Sequence, residues 1–505
     1  MARKERTVKN SIAAIFRYVV KLILQFVIRT MLIYKLGVEY VGLDSLYANI
    51  ISMLSLAELG IGSAIVFSMY KPIAENDVEK LKSLNALYKK LYMIITIVVL
   101  VVGIALMPFI EFFISGEPNV NVNLYVVYVI FLANTVISYL GAHKRSLLFA
   151  NQRNDIENNI LTTQIIIMSI VQIAVLVIFK NYYLYAIMIP LFTLVEVIAV
   201  VIVANKLYPE INGKAKPLDK ETKKTISKNI VATACHHLGS VVVMSTDNLL
   251  ISKFFGLTML GTISNYILIY NAINSLIQLF IGAVQASVGN MIATTDKEKV
   301  YKFYKLLNWF FACVTGFCSI ALMCLYQPFM TIWVGDINAL ATIWVVLSIV
   351  VRFYVTQMRC VTNMFKTCAG LMWNDRFKPI IESVINIVAS IICIQFFGVA
   401  GIFIGTIIST ICAPLWVEPL VLYKNYFNKS LKEFFTQYII FTIVTLIAGG
   451  LTYFVCTLLP TVGVLYFILK MAICIFVPLM IYLLFYFKTD YFKQCIVYAK
   501  NILKK

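Results

Sequence analysis

Four polar side chains on one predicted helix are spaced so that together they could bind an anion. They recur every four residues among Ile, Val, Leu and Phe, and they are Arg17, Lys21, Gln25 and Arg29. Residues four apart lie on one face of an α-helix, so the four form a polar stripe. Arg and Lys suit phosphate, which predicts a phosphate-bearing substrate. In the alternative, Arg17 and Arg29 extend to water at the two helix ends. This alternative does not account well for Lys21, because Lys21 lies near the middle of the helix.

Polar residues also recur on predicted helices of the second half. The further candidates for substrate binding are His236, Asn271, Asn274, Gln278, Arg352 and Arg359. Amides suit sugar hydroxyls, and an embedded Arg indicates a wet cavity. Alternatively, the amides hold helices together and the His is a packed core residue.

Three acidic residues in apolar segments are candidates for carrying a coupling ion: Glu58, Glu196 and Asp247. Pairing with a nearby cation is the alternative for each of them. Catalytic sets, metal-ligand spacings and the Walker GxxxxGK[ST] motif are absent from the sequence, so we expect no enzyme, no cofactor and no metal. The eleven Cys are predicted to be small core residues.

The elements that hold these residues are predicted to be membrane-spanning helices. Of the 505 residues, 61% are hydrophobic and 13% are charged, whereas a soluble chain carries about 25% charged residues. Mean hydropathy is +0.87. Segments long enough to cross a bilayer occur about fourteen times. They are 10–36, 43–69, 91–114, 123–142, 160–179, 183–204, 230–254, 262–292, 306–325, 340–362, 380–397, 399–422, 434–459 and 462–487. The predicted fold class is an all-α, polytopic membrane protein.

The basic residues predict the orientation of the helices. With the N-terminus in the cytoplasm, the outer side holds only Lys35, Lys180 and Lys253, and the inner loops and tails hold the other basic residues outside the spans. Cytoplasmic segments of membrane proteins carry such an excess, so both termini are predicted to be cytoplasmic. An anionic inner leaflet accounts for the net charge of +19, and no nucleic-acid partner is expected.

The chain contains an internal repeat, which a single ungapped alignment of the two halves shows. In this alignment, three residues of the first half coincide with identical residues of the second: Gly37 with Gly256, Gly42 with Gly261, and Tyr47 with Tyr266. The repeat predicts two pseudo-symmetric six-helix lobes, 1–207 and 229–425, joined by a cytoplasmic linker, 208–228. Two appended helices and a basic tail follow at 426–505. Repeats of this kind commonly bind substrate at their interface.

Three segments resemble bacterial polysaccharide repeat-unit flippases of the Wzx type. They are YKLGVEYVGLDSLYANIISMLSLAELGIGSAIVFSMYKPIAE at 34–75, STDNLLISKFFGLTMLGTISNYILIYNAINSLIQ at 245–278, and PFMTIWVG at 328–335. The resemblance places the chain in the superfamily of multidrug, oligosaccharidyl-lipid and polysaccharide exporters. It implies alternating access and transfer of an undecaprenyl-pyrophosphate-linked oligosaccharide to the outer leaflet of the bacterial cell membrane.

The resemblance further implies that Arg17, Lys21 and Arg29 hold the pyrophosphate, and that the two appended helices offer a groove for the lipid tail. The implied partners are this lipid-linked substrate, membrane lipids, and a polysaccharide polymerase with its export machinery. The alternatives are a lipid II flippase, a multidrug exporter, or a membrane-embedded polysaccharide polymerase.

Solvent-accessibility labelling tests the predicted wet cavity. Cysteine placed at Lys21 or Arg352 should react with a water-soluble thiol reagent, because a cavity-facing side chain is hydrated. The background should lack the other accessible cysteines. Protection at both positions, as in a dry helix contact or against lipid, contradicts the cavity.

Overall fold

The computed structural model describes residues 3–58, 61–213, 215–335 and 340–495, and contains no strand among them. Its contacts divide the chain into two compact units, Met1–Ser264 and Asn265–Lys505. This division uses a different criterion from the sequence repeat, so the lobe boundaries stay a prediction. The all-α, polytopic fold class is confirmed.

The first unit contains eight helices and part of a ninth. They are α1 (Arg3–Lys35), α2 (Val38–Leu54), α3 (Ile61–Ala74), α4 (Val78–Leu106), α5 (Leu124–Leu140), α6 (Ala142–Ala150), α7 (Asn154–Ile178), α8 (Tyr182–Leu207) and α9 (Lys220–Thr294). A non-helical residue, Gly256, interrupts α9. Helix α1 packs along α7, which places the polar stripe of α1 beside the polar start of α7.

The second unit contains the end of α9 and eight further helices. They are α10 (Lys297–Val334), α11 (Ile343–Gln357), α12 (Cys360–Cys368), α13 (Lys378–Phe397), α14 (Val399–Cys412), α15 (Pro414–Leu422), α16 (Leu431–Thr457) and α17 (Val464–Tyr486). Helices α10, α16 and α17 pack on one another and share an apolar core. Helices α16 and α17 overlap the two spans predicted to be appended, 434–459 and 462–487.

Ten helices among the described residues are long and apolar enough to span a membrane, or eleven if the α5–α6 pair, bent by 45°, counts as one span. The predicted number of fourteen stays a prediction. The difference has three sources. Helix α1 is not among these candidates, α2 and α3 are each too short, and the apolar segment Ser245–Thr294 covers part of one predicted span and the whole of the next.

The sequence repeat is also a repeat of secondary-structure elements. In the alignment that pairs Gly42 with Gly261, the first residue of α4 coincides with the first residue of α10, and that of α5 with that of α11. The first residues of α6 and α12 are offset by a single position. In each half a long helix is thus followed by a break and a short helix, α5–α6 in one and α11–α12 in the other.

A close glycine crossing joins α2 to α9 within the first unit. A Cβ atom on Gly42 would lie 2.1 Å from the Leu257 carbonyl oxygen, and one on Gly261 would lie 2.1 Å from that of Val38. The two contacts are equivalent in the repeat, because the alignment that pairs Gly42 with Gly261 also pairs Val38 with Leu257. Small residues allow helices in a membrane to approach this closely. The crossing therefore has local twofold symmetry.

Replacing Gly42 with Ala should weaken this crossing, because the new methyl group meets a backbone oxygen that cannot rotate away. Overpacking of this kind costs about 1–3 kcal/mol. The thermal unfolding midpoint of the detergent-solubilised protein measures the effect. Gly450→Ala is the matched control, because a Cβ there has no neighbour within 4 Å. Equal midpoints for the two variants contradict the tight crossing.

Candidate functional site

The two ends of the polar stripe on α1 are held by hydrogen bonds within the first unit. Arg17 Nη1 donates to Asn158 Oδ1 on α7 at 3.1 Å. Arg29 Nη1 donates to the backbone oxygen of Ser264 at 2.8 Å and to its Oγ at 3.2 Å. Both guanidinium groups therefore help to fix α1 against its neighbours, and their contact with a substrate stays a prediction.

The middle of the stripe is different. Lys21 and Gln25 are exposed, and neither forms a hydrogen bond or ion pair with another side chain that the structure describes. Because a bare ammonium group is unstable in hydrocarbon, Lys21 requires water or an anionic ligand. The role of Lys21 in binding a phosphate stays a prediction.

A buried ion pair in the first unit neutralises one of the predicted ion-coupling residues. Glu196 on α8 is 4% exposed and accepts a hydrogen bond from Arg145 Nη2 on α6 at 2.5 Å. Glu157 on α7 and Arg17 are electrostatically coupled to this pair. The sequence predicted pairing as the alternative for Glu196, but it placed Arg145 in a cytoplasmic segment.

A cavity of about 460 Å³ opens beside this ion pair. Its walls are aromatic, aliphatic and charged side chains: Val66, Phe67, Tyr70, Arg145, Ser146, Phe149 and Glu157. The lining combines one guanidinium group with one carboxylate. The surface of this cavity is thus mainly apolar, and its charged lining has no excess of positive charge.

The second unit contains a larger buried ionic cluster, formed by Arg359, Lys366, Asp375, Lys378, Glu382 and Glu418. Arg359 lies 3.6 Å from Glu382 and 3.5 Å from Glu418. Lys378 lies 2.5 Å from Glu418 and 3.4 Å from Asp375, which also pairs directly with Lys366. Three cations meet three carboxylates, so the cluster is formally neutral. Its charge balance explains how Arg359 is tolerated in an apolar segment, and a role in substrate binding stays a prediction.

Arg352 lies between two aromatic rings of the second unit. Its guanidinium carbon is 5.8 Å from the centre of the Tyr270 ring and 5.6 Å from that of Phe403. Contact of a guanidinium group with aromatic faces is a favourable cation–π interaction. Arg352 is thus a half-buried cation with an aromatic environment.

The three amides predicted to bind sugar hydroxyls have different surroundings. Asn274 accepts a hydrogen bond from Gln357 Nε2 at 2.8 Å, which matches the alternative that amides hold helices together. Asn271 and Gln278 are exposed. These two side chains stay candidates for polar contacts with a ligand.

The other two predicted ion-coupling residues are Glu58 and Asp247. Glu58 accepts a hydrogen bond from the Tyr92 hydroxyl, and Asp247 is 3% exposed. Among the described side chains no cation pairs with Glu58, in contrast to Glu196 with its Arg145. The side chain of His236 lies outside the described residues.

An apolar groove of about 520 Å³ lies in the second unit. Its lining comes from α10, α11, α14, α15 and α16, and includes Met323, Val351, Ile411, Leu446 and Gly450. The sequence predicted a lipid-tail groove at the two appended helices. One of them, α16, supplies seven lining residues, whereas α17 supplies none. The lining of the groove is almost entirely apolar, and its occupation by a lipid tail stays a prediction.

Removing the charge of Glu418 should strongly destabilise the second unit. Glu418→Gln leaves Arg359 and Lys378 buried with too little negative charge, and breaking a buried pair in this way costs about 3–5 kcal/mol. Glu298→Gln is the control, because its pair with Lys429 is largely exposed, and such pairs contribute about 0–1 kcal/mol. Thermal unfolding in detergent should separate the two variants. Similar midpoints contradict a stabilising buried cluster.

Comparisons with known proteins identify the fold. No family model and no curated protein matches the sequence. The lipid II flippase MurJ in an inward closed conformation aligns with a TM-score of 0.65 at 16% identity, covering 95% of this chain and 99% of that one. An inward-facing multidrug resistance MATE family transporter aligns with a TM-score of 0.62 at 14% identity, covering 82% of this chain and 98% of that one.

A MOP superfamily transporter from Pyrococcus furiosus, described as having a binding pocket of reverse polarity, aligns with a TM-score of 0.55 at 15% identity, covering 85% of this chain and 97% of that one. The identities are low, so these likenesses concern the fold. The chain has the polytopic membrane fold of MOP superfamily transporters.

Proposed function

We propose that this chain is a flippase, a transporter that moves an undecaprenyl-pyrophosphate-linked oligosaccharide repeat unit from the inner to the outer leaflet of a bacterial membrane for surface polysaccharide assembly. The observation that carries the proposal is the exposed Lys21 ammonium on α1, which has no hydrogen-bond or ion-pair partner among the described side chains. Arg17 lies one turn away and adds positive charge. Together they favour a phosphate group.

The coverage of the structural comparisons supports a lipid-linked substrate. The alignment covers almost all of the MATE transporter, but nearly a fifth of this chain has no counterpart in that protein. The lipid II flippase covers 95% of this chain. The part of this chain that the MATE transporter leaves unmatched is close in size to the appended segment 426–505, which includes α16 and α17. This chain is thus matched over nearly its whole length by a lipid II flippase.

The apolar groove supports the same class of substrate. It is lined by α16, and its wall is dominated by aliphatic and aromatic side chains. A polyprenyl tail requires such a surface, whereas a small hydrophilic substrate does not. A lipid-linked pyrophosphate needs a cation for its headgroup and an apolar surface for its tail, and the chain supplies one of each.

In the proposed mechanism, the headgroup enters from the cytoplasmic side and its pyrophosphate binds Lys21. The transporter then opens to the outer side by alternating access, and the substrate leaves. An ion gradient returns the protein to its first state. Glu58, Glu196 and Asp247 stay the candidates for carrying the coupling ion, and Glu196 is the one already paired with an Arg.

Multidrug export is the second candidate, and the likeness to the MATE transporter favours it. Lipid II transfer is compatible with the same fold. The charge of the α1 stripe distinguishes these candidates, because a cavity for cationic drugs favours acids over bases. An embedded polymerase ranks last, since no catalytic set is found in the sequence.

The Lys21→Ala variant tests the proposal. Surface polysaccharide should fall by about 10–100-fold, because a hydrogen bond to a charged group contributes about 1.5–3 kcal/mol, and Lys21→Arg should restore it. Adding Arg17→Ala should abolish export. Lys35→Ala is the matched control, since Lys35 is an exposed cation at the end of α1. Immunoblotting of polymer and mass spectrometry of accumulated lipid-linked sugars give the readouts, and membrane protein levels exclude misfolding.

Wild-type export in the double variant would refute the role assigned to the stripe. A deletion strain that exports polymer normally but becomes sensitive to cationic drugs would support multidrug export instead. Accumulation of lipid II in the deletion strain, without loss of surface polymer, would support lipid II transfer as the function.

A further inference from the structure

Three cysteines from distant parts of the chain meet in the core of the second unit. Cys324 lies on α10, Cys456 on α16 and Cys474 on α17, and their sulfur atoms all lie within 4.8 Å of one another. Each residue is at most 5% exposed. More than a hundred residues separate Cys324 from Cys456, and the connection between α16 and α17 lies between Cys456 and Cys474. No local spacing motif could reveal them, which is why the sequence predicted no metal.

A buried lysine accompanies the three thiols. Lys470 lies one helical turn before Cys474 on α17 and is only 3% exposed. No carboxylate among the described residues pairs with it. An ammonium group in an apolar core needs a nearby negative charge. A divalent ion held by three thiolates carries one negative charge in total, which this ammonium group would balance.

We propose that Cys324, Cys456 and Cys474 bind a thiophilic divalent metal ion of the zinc class, with Lys470 as the neutralising cation. Binding requires the three thiolates, so three protons leave to solvent as the metal enters. Three negative sulfurs, one divalent ion and one ammonium group sum to zero charge. A monovalent ion would leave one negative charge in the apolar core.

The geometry fits such an ion after a small contraction. A zinc–sulfur distance of about 2.3 Å implies sulfur–sulfur separations of about 4 Å. The sulfur atoms, all within 4.8 Å of one another, need only a slight inward movement to reach this separation. Three protein ligands leave a fourth position for water or another small ligand.

The location of the cysteines gives the ion a structural role. Each comes from a different helix of the apolar core shared by α10, α16 and α17. A bound ion would fasten the two terminal helices to α10. Cys456 is the penultimate residue of α16, which ends at Thr457, and α17 begins at Val464. The short connection between these helices provides the nearest entry for the ion.

Cadmium titration of the reduced, full-length protein in detergent tests the site, because cadmium–thiolate bonds absorb in the ultraviolet. Wild type should show one saturable equivalent that also raises the thermal midpoint. Cys456→Ser and Cys474→Ser should abolish both effects. Cys393→Ser, a buried cysteine on α13, is the matched control. Lys470→Met should weaken binding by about 10–100-fold, as expected for a residue beside the ligands.

X-ray absorption of the wild-type zinc or cadmium complex keeps the test decisive if the serine variants do not fold. Three sulfur neighbours per ion support the site. Fewer than three sulfurs, the same ultraviolet band in Cys456→Ser, or a disulfide between two of these cysteines in protein purified without reductant overturns it. The site is independent of the transported substrate, so loss of the flippase proposal leaves it unaffected.

Discussion

The free energy of placing charge in hydrocarbon governs this molecule. A membrane-embedded ion must be paired, hydrogen-bonded or hydrated, because the surrounding lipid offers no compensation. Most embedded charges of the described chain obey this constraint visibly. Glu196 pairs with Arg145, and Arg359 joins a six-member cluster whose formal charge is zero. The cations that the sequence alone would assign to a substrate are thus partly committed to holding helices together.

The repeat places these neutral clusters at equivalent elements. In the first half, a cation on the short helix α6 meets an acid on α8. In the second half, Arg359, directly before the short helix α12, meets acids on α13 and α15, and Lys366 on α12 meets Asp375 in the connection before α13. These ion pairs join each short helix, or the residue directly before it, to a neighbouring helix.

Two lysines depart from this pattern, and each leads to a functional proposal. Lys21 is exposed within the polar stripe of α1, where a phosphate would provide the missing negative charge. Lys470 is buried beside three thiols, where thiolates would provide it. The same constraint thus supports two separate proposals, one for a transported anion and one for a resident ion.

The sequence by itself determined the membrane class, the helical architecture, the repeat and the candidate stripe, because composition and periodicity are local properties. It also indicated which charges were unusual for their surroundings. Only the tertiary structure decided that Arg17 and Arg29 are anchored while Lys21 is not, that Arg145 neutralises Glu196, and that three dispersed cysteines meet. Those outcomes depend on contacts between residues far apart in the chain, and helical periodicity shows which face a residue occupies without showing what packs against that face.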